Sequence, residues 1–205
     1  MIYLMQNRDF FKIGYTDNLE GRLSSLQTSN PETILLAVID GGIKEENLLH
    51  KKFEKYRYSN EWFFKSIDIY EYFRSTTNDN KYSNLSTNIS IPVDPKSKIF
   101  SDIRAFRFLL YFGTFMSESR RNHCGNILYI DNFIKSYVCK MMHIEIPSFR
   151  NTLSYMIRNN MMIKHPSLKN TYMLNPNYFY KGEHNHHIKC IQYYNTLENN
   201  KSKEE

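Results

Sequence analysis

Short apolar runs broken by polar turns open the chain. Ile2–Met5 (IYLM) and Phe10–Tyr15 (FFKIGY), separated by QNRD, predict a β-hairpin. Thr16 or Asp17 offers an N-cap for a following helix with Leu19, Leu23 and Leu26 at helical spacing and Pro31 as its stop. The aliphatic run TILLAVID, residues 33–40, predicts a buried strand. In IKEENLLHKKFEKYR a second helix carries Leu48, Leu49, Phe53 and Tyr56 on one stripe and Glu46, His50 and Glu54 on the next. NEWFFKSIDIYEYFRS then supplies a closing strand or turn, with Trp62 as a core anchor, and a last helix packed through Ile67, Ile69 and Tyr72 or Phe73.

The pattern then stops and restarts. Residues 76–97 are dominated by Ser, Thr, Asn, Asp and Pro, lack helical periodicity and read as a linker. Residues 97–116 predict an amphipathic helix with apolar positions at 99, 103, 106, 109, 110 and 113, and GNILYI (125–130) a short strand. Asp131 caps a helix with Phe133, Ile134, Val138 and Met141 facing inward. Ser148 caps another, in which Phe149, Leu153, Met156 and Ile157 form the apolar stripe and Arg150, Asn151, Ser154 and Arg158 lie opposite. Two short strands, MMIKH and NTYMLN, follow around the basic turn PSLK. Helix, strand, helix, turn, helix and hairpin is the winged-helix order. The expected organisation is therefore a first domain at 1–75, a linker at 76–97, a second domain at 98–182 and a polar, frayed tail at 183–205.

Composition sharpens this. Of 205 residues 41% are hydrophobic, which excludes wholesale disorder, and no run approaches the roughly 18 apolar residues of a membrane-spanning helix. The reading is a soluble, intracellular protein with no membrane partner. Three cysteines without a CxxC pair argue against a disulfide framework or a thiolate zinc site. HNHHIKC (His184, His186, His187, Cys190) has zinc-type donors but no second half-site at finger-like spacing. Charge is unevenly spread: residues 1–75 carry 10 Lys+Arg against 11 Asp+Glu, whereas residues 98–182 carry 12 against 4. A basic excess confined to one segment points to a polyanionic partner such as double-stranded DNA.

IYLM, KIGYT, Arg22 seven residues after Tyr15, EENLLHKKF and NEWFF, in that order, resemble the GIY-YIG nuclease superfamily in its phage and viral Lys-Ile-Gly variant. The resemblance implies an α+β fold, a small GIY-YIG-like α/β sandwich, and metal-dependent hydrolysis of DNA phosphodiesters. It implies that Tyr3 turns its hydroxyl to the reacting phosphate and that Gly14 lets a phosphate or a neighbouring side chain approach the backbone. Arg22 is then the guanidinium that neutralises charge on the phosphoryl oxygens, and Glu46 the carboxylate holding Mg²⁺ or Mn²⁺. Lys12 stands where the family signature has its second Tyr. An amine there binds phosphate or, with a depressed pKa, relays a proton, and Tyr15 substitutes in part. His50 orients the metal shell or packs within the fold.

Residues 97–182 resemble the winged-helix replication initiators of small plasmids, with an Asn-Pro-x-x-Phe closing segment. The third helix is then the major-groove reader. Arg150, Asn151, Ser154 and Arg158 face DNA, Ser148 holds phosphate at the helix start, and Lys164 and Lys169 touch phosphates from the wing. The expected function is a DNA-binding endonuclease. Its rivals are a non-catalytic DNA-binding replication or transcription regulator with a degenerate nuclease domain, and a protein-interaction module with incidental charge.

Overall fold

A computed structural model describes residues 1–77, 89–90, 102–117 and 124–201. The chain is mixed α+β with antiparallel sheets, and it separates into two compact units, Met1–Ser86 and Thr87–Glu205.

The first unit is built on strands β1 (Ile2–Asn7), β2 (Phe10–Tyr15), β3 (Ile34–Ile39), β4 (Arg57–Ser59) and β5 (Trp62–Phe64), joined antiparallel in the order β3-β1-β2-β5-β4. Tyr3 lies opposite Gly14, Met5 opposite Lys12, and Lys12 opposite Trp62. Because side chains alternate along a strand, these residues share one face of the sheet. Helix α1 (Leu19–Ser29) packs on that face through Leu19, Leu23 and Leu26, against Tyr3, Met5 and Val38. The opposite face carries buried Ile2, Leu4, Phe11, Ile13 and Phe63. Helix α2 (Ile43–Lys52) contributes Leu49 and helix α3 (Ile67–Thr76) contributes Ile69, Tyr70 and Phe73.

Local details depart from the pattern-based reading for identifiable reasons. Asn18, not Thr16 or Asp17, caps α1, its side chain accepting from Gly21 N–H at 3.0 Å. Thr16 is tied up by the hairpin, whose backbone pairs it with Met1 in both directions. Leu48 is 63% exposed. The inward face of α2 is Glu46, Leu49, His50 and Phe53, a mixed polar and apolar stripe at i, i+3, i+4 and i+7. Trp62 is only half-buried, and the core anchor of its strand is Phe63, which points to the opposite face.

The second unit opens with α4 (Ile103–Phe115), capped by Asp102 accepting from the Arg104 and Ala105 amides. Its buried stripe is Ala105, Phe108, Leu109, Phe112 and Phe115, so the expected inward positions 103 and 110 are exposed instead. Residue 99 lies outside the described residues. Strand β7 (Ile127–Tyr129), helices α5 (Asn132–Met142) and α6 (Ile146–Arg158), and strands β8 (Met162–Lys164) and β9 (Thr171–Leu174) follow, with sheet order β7-β9-β8. Asp131 caps α5, accepting from Ile134 N–H at 2.8 Å. Met142 and Tyr137 are buried there, whereas Met141 is half-buried. Helix α6 begins before Ser148, with Glu145 as N-cap, because Pro147 in the first turn has a pre-set φ and no N–H to satisfy. Thr152, bonded to the Ser148 carbonyl at 2.9 Å, takes the buried place expected of Leu153.

Two segments carry regular structure that the sequence pattern does not predict. Ile89–Ser90 (β6), inside the expected linker, pairs antiparallel with Tyr180–Lys181 (β10). The expected frayed tail forms α7 (His187–Lys201), whose Cys190, Tyr194 and Leu197 are buried with Ile163, Met173 and Tyr180. A single apolar residue every three or four positions anchors that helix despite its polar composition. No helix among the described residues is long and apolar enough to cross a membrane.

Candidate functional site

Tyr3 and Gly14 make the centre of the site. A Cβ on Gly14 would fall 2.6 Å from Tyr3 Cζ, so glycine is what lets the phenol ring lie across β2. Tyr3 is fully buried, and its hydroxyl accepts a hydrogen bond from Arg22 Nε at 3.1 Å. The side chain that approaches Gly14 is thus Tyr3 itself, and the hydroxyl is turned to Arg22. Burial raises the Tyr3 pKa above the ordinary phenol value, Arg22 opposes that rise, and the Glu61 and Glu46 carboxylates add to it. The balance keeps the phenol protonated. Arg22 is half-buried, fixed through Nε by Tyr3, and held firmly in its charged form by that bond.

Lys12 sits on the same face, two residues from Gly14. Only 6% exposed, it donates to the Glu61 carboxylate and lies over the Trp62 ring at 5.1 Å. Glu61 also acts electrostatically on both Tyr3 and Arg22. It was missed from sequence because a glutamate in a turn before an aromatic strand has no distinguishing pattern.

Glu46 and His50 complete an interrupted ladder. Strand β5 pairs with β2 only along Phe10–Lys12, leaving the outer backbone groups of Ile13 and Tyr15 without a strand partner. Ile13 N–H donates to the Glu61 carbonyl at 3.1 Å, the Ile13 carbonyl accepts from His50 Nε2 at 3.0 Å, and Tyr15 N–H donates to Glu46 Oε1 at 3.1 Å. Four residues of helix rise about 6 Å, which matches the ~6.6 Å of two strand residues, so one helix face reaches both groups. His50 Nε2 is 3.9 Å from Glu46 Oε1. Its closer bond, to a carbonyl, makes Nε2 a donor and therefore not a metal ligand in this arrangement. Glu46 is nearly buried, yet its contacts fall on Oε1, and Oε2 remains for a cation. Tyr15 faces outward, its hydroxyl donating to Asp17, which raises its pKa.

The structure therefore brings Tyr3, Lys12, Gly14, Arg22 and Glu46 into one electrostatic neighbourhood with Glu61. Residues 1–76 match the T5orf172 domain. This is a phage-associated domain of the GIY-YIG/HNH-like endonuclease type. The T5orf172 segment ends within α3 and so contains every residue of the site just described. Neither a curated protein nor a solved structure matches the chain.

In the second unit Arg150, Asn151, Ser154 and Arg158 are exposed on one face of α6, as are Lys164 and Lys169 around the β8–β9 turn. Ser148 is half-buried in the first turn of α6. A cleft of about 410 Å³ opens between the start of α4 and α6, lined by Asp102, Ile103, Arg104, Asn151, Thr152 and Tyr155. His184, His186, His187 and Cys190 do not converge: His187 donates to the Pro176 carbonyl at 2.7 Å, and Cys190 is buried in the core. No group of three metal-type side chains gathers among the described residues.

Proposed function

We propose that this chain binds duplex DNA through its second unit and hydrolyses a phosphodiester bond at the Tyr3–Arg22–Glu46 site of its first. The observation that carries the reading is a guanidinium held at 3.1 Å by a buried phenol, with the Glu46 and Glu61 carboxylates both acting on that phenol. Arg22, oriented through Nε, keeps its terminal nitrogens for a phosphoryl group whose negative charge grows in the transition state. Tyr3 acts by positioning that guanidinium. Lys12 is an inward-facing cation whose present anion, Glu61, stands where a substrate phosphate oxygen can compete.

Glu46 Oε2 is the donor that fits Mg²⁺ or Mn²⁺, hard ions that accept a single carboxylate and complete their shell with water. Such an ion supplies charge stabilisation and an acidified water at the phosphate. The Tyr15 N–H bond fixes the carboxylate plane, and His50 anchors the helix that carries it.

For the second unit, α4, β7, α5, α6, β8 and β9 in that order, with strand order β7-β9-β8, support a winged helix in which α6 enters the major groove. Its net basic charge supports a phosphate-dominated affinity that falls steeply with salt.

A second reading has its own support. Full burial of Tyr3 and the pairing of Lys12 with Glu61 suit a domain that keeps the fold and binds DNA without cutting it. Incubating the protein with supercoiled plasmid and Mg²⁺ or Mn²⁺, beside Glu46→Gln, separates the two. Gln retains an oxygen for Tyr15 N–H and loses the charge. Nicking or linearisation by wild type alone supports hydrolysis, whereas an intact plasmid that still shifts on a gel supports the binder.

A further inference from the structure

Strand alternation extends the face that carries Tyr3, Gly14, Lys12 and Trp62 outward to Phe10 and Phe64, which lie opposite each other two residues further along β2 and β5. There the face becomes an aromatic platform. Phe10 stacks on Tyr58 at 4.4 Å with planes 30° apart, Phe64 closes the group at 5.6 Å from Phe10 and 5.4 Å from Tyr58, and Tyr58 and Phe64 are 59% and 52% exposed. Three contiguous rings, two of them more than half in water, are costly to leave without a ligand.

We infer that this platform stacks unpaired nucleobases of the DNA strand whose phosphate occupies the neighbouring Arg22–Lys12 site, so that the preferred substrate carries unstacked nucleotides beside the scissile bond. The inference rests on the proposed nuclease reading for the position of that phosphate. Two observations select this occupant. The face is divided by chemistry, with cations at the Arg22 and Lys12 end and uncharged rings at the other, matching a strand that presents phosphate and base separately. Residues 1–75 also carry no net positive charge, 10 basic against 11 acidic, so this unit lacks the electrostatic grip that holds a duplex by its backbone. Base–ring stacking supplies affinity without charge, and only bases freed from a helix expose both faces to it. Trp62, under Lys12, bridges the two ends.

The test uses the full chain without divalent metal, so that binding is read apart from cleavage. A blunt duplex is compared with the same duplex carrying a single-stranded arm, each fluorescein-labelled for anisotropy, and with 2-aminopurine placed in the arm. Wild type is expected to bind the armed duplex about tenfold more tightly and to quench the 2-aminopurine. Tyr58→Ala/Phe64→Ala is expected to lose both effects while retaining affinity for the blunt duplex, and Tyr58→Trp to keep them. Should the double variant fail to fold by circular dichroism, Tyr58→Ala alone, a change at an exposed ring, carries the comparison. Equal binding of the two DNAs, or quenching that survives Tyr58→Ala, overturns the proposal. Plasmid nicking is scored separately: stacking without nicking leaves the platform and removes the nuclease, and nicking without stacking does the reverse.

Discussion

Each unit buries a lysine, and the two are held in opposite ways. Lys181, 2% exposed, donates to the carbonyls of Gly113 (3.2 Å) and Met116 (2.9 Å) at the C-terminal end of α4, where the helix leaves acceptors unfilled and favours positive charge. Its backbone N–H donates to Asn126 Oδ1, and Asn126, fully buried in a left-handed conformation at φ 59°, also donates to the Leu174 and Phe179 carbonyls. Those partners are fixed backbone groups. Lys12 is instead neutralised by the Glu61 side chain, 41% exposed and able to swing into water. A cation clamped by the main chain is architecture, whereas one matched by a movable carboxylate can exchange its anion. The exchangeable cation is in the first unit, although the second carries the basic excess.

The contrast would break most visibly at Arg22. Arg22→Ala is expected to slow plasmid nicking by about 100- to 1,000-fold, as when one charge-stabilising donor is lost, with little change in urea midpoint. A large loss of stability with unchanged nicking would make Arg22 structural like Lys181. Next come the lysines themselves. Lys181→Met strands two buried carbonyls and should cost about 3 kcal/mol in urea unfolding, while Lys12→Met should cost less than about 1 kcal/mol because Glu61 can hydrate. Similar losses for both would erase the distinction. Gly14→Ala forces the Tyr3 ring aside, with an expected cost of about 1–3 kcal/mol and a fall in nicking that exceeds it, because Arg22 loses its anchor. The smallest effects belong to the wing: Lys164→Ala and Lys169→Ala should each weaken duplex binding a few-fold and lower the slope of log affinity against log salt by about one.

Much of this architecture was legible in residue order. The hairpin, the helix after it, the Asp131 cap and the helix–strand alternation of the second unit follow from period, cap and turn residues that act within a few positions. The candidate site was legible as a set of residue types, but its roles were not. Tyr3 is read as a hydroxyl turned to a phosphate until Gly14 is seen opposite it and Arg22 beside it, and the backbone bonds of Glu46 and His50 emerge only when the short β5 leaves β2 with groups to satisfy. Glu61 could not be found, since its importance comes from lying next to Lys12, 49 residues away. The helix at His187–Lys201 was hidden for a related reason: its few anchoring residues matter only once they pack against Ile163, Met173 and Tyr180.

By itself, then, the sequence determined most of the helices and strands, where the positive charge accumulates, and which functional groups are available, because those properties depend on each residue and its near neighbours. Only the tertiary structure decided which group meets which: that Arg22 leans on Tyr3, that Lys12 is answered by a movable carboxylate and Lys181 by fixed carbonyls, and that three aromatic rings gather at one end of a sheet face. Hydrogen bonds and ion pairs act over a few ångströms, and the distances that set them come from strand register and helix rotation, which no local pattern encodes.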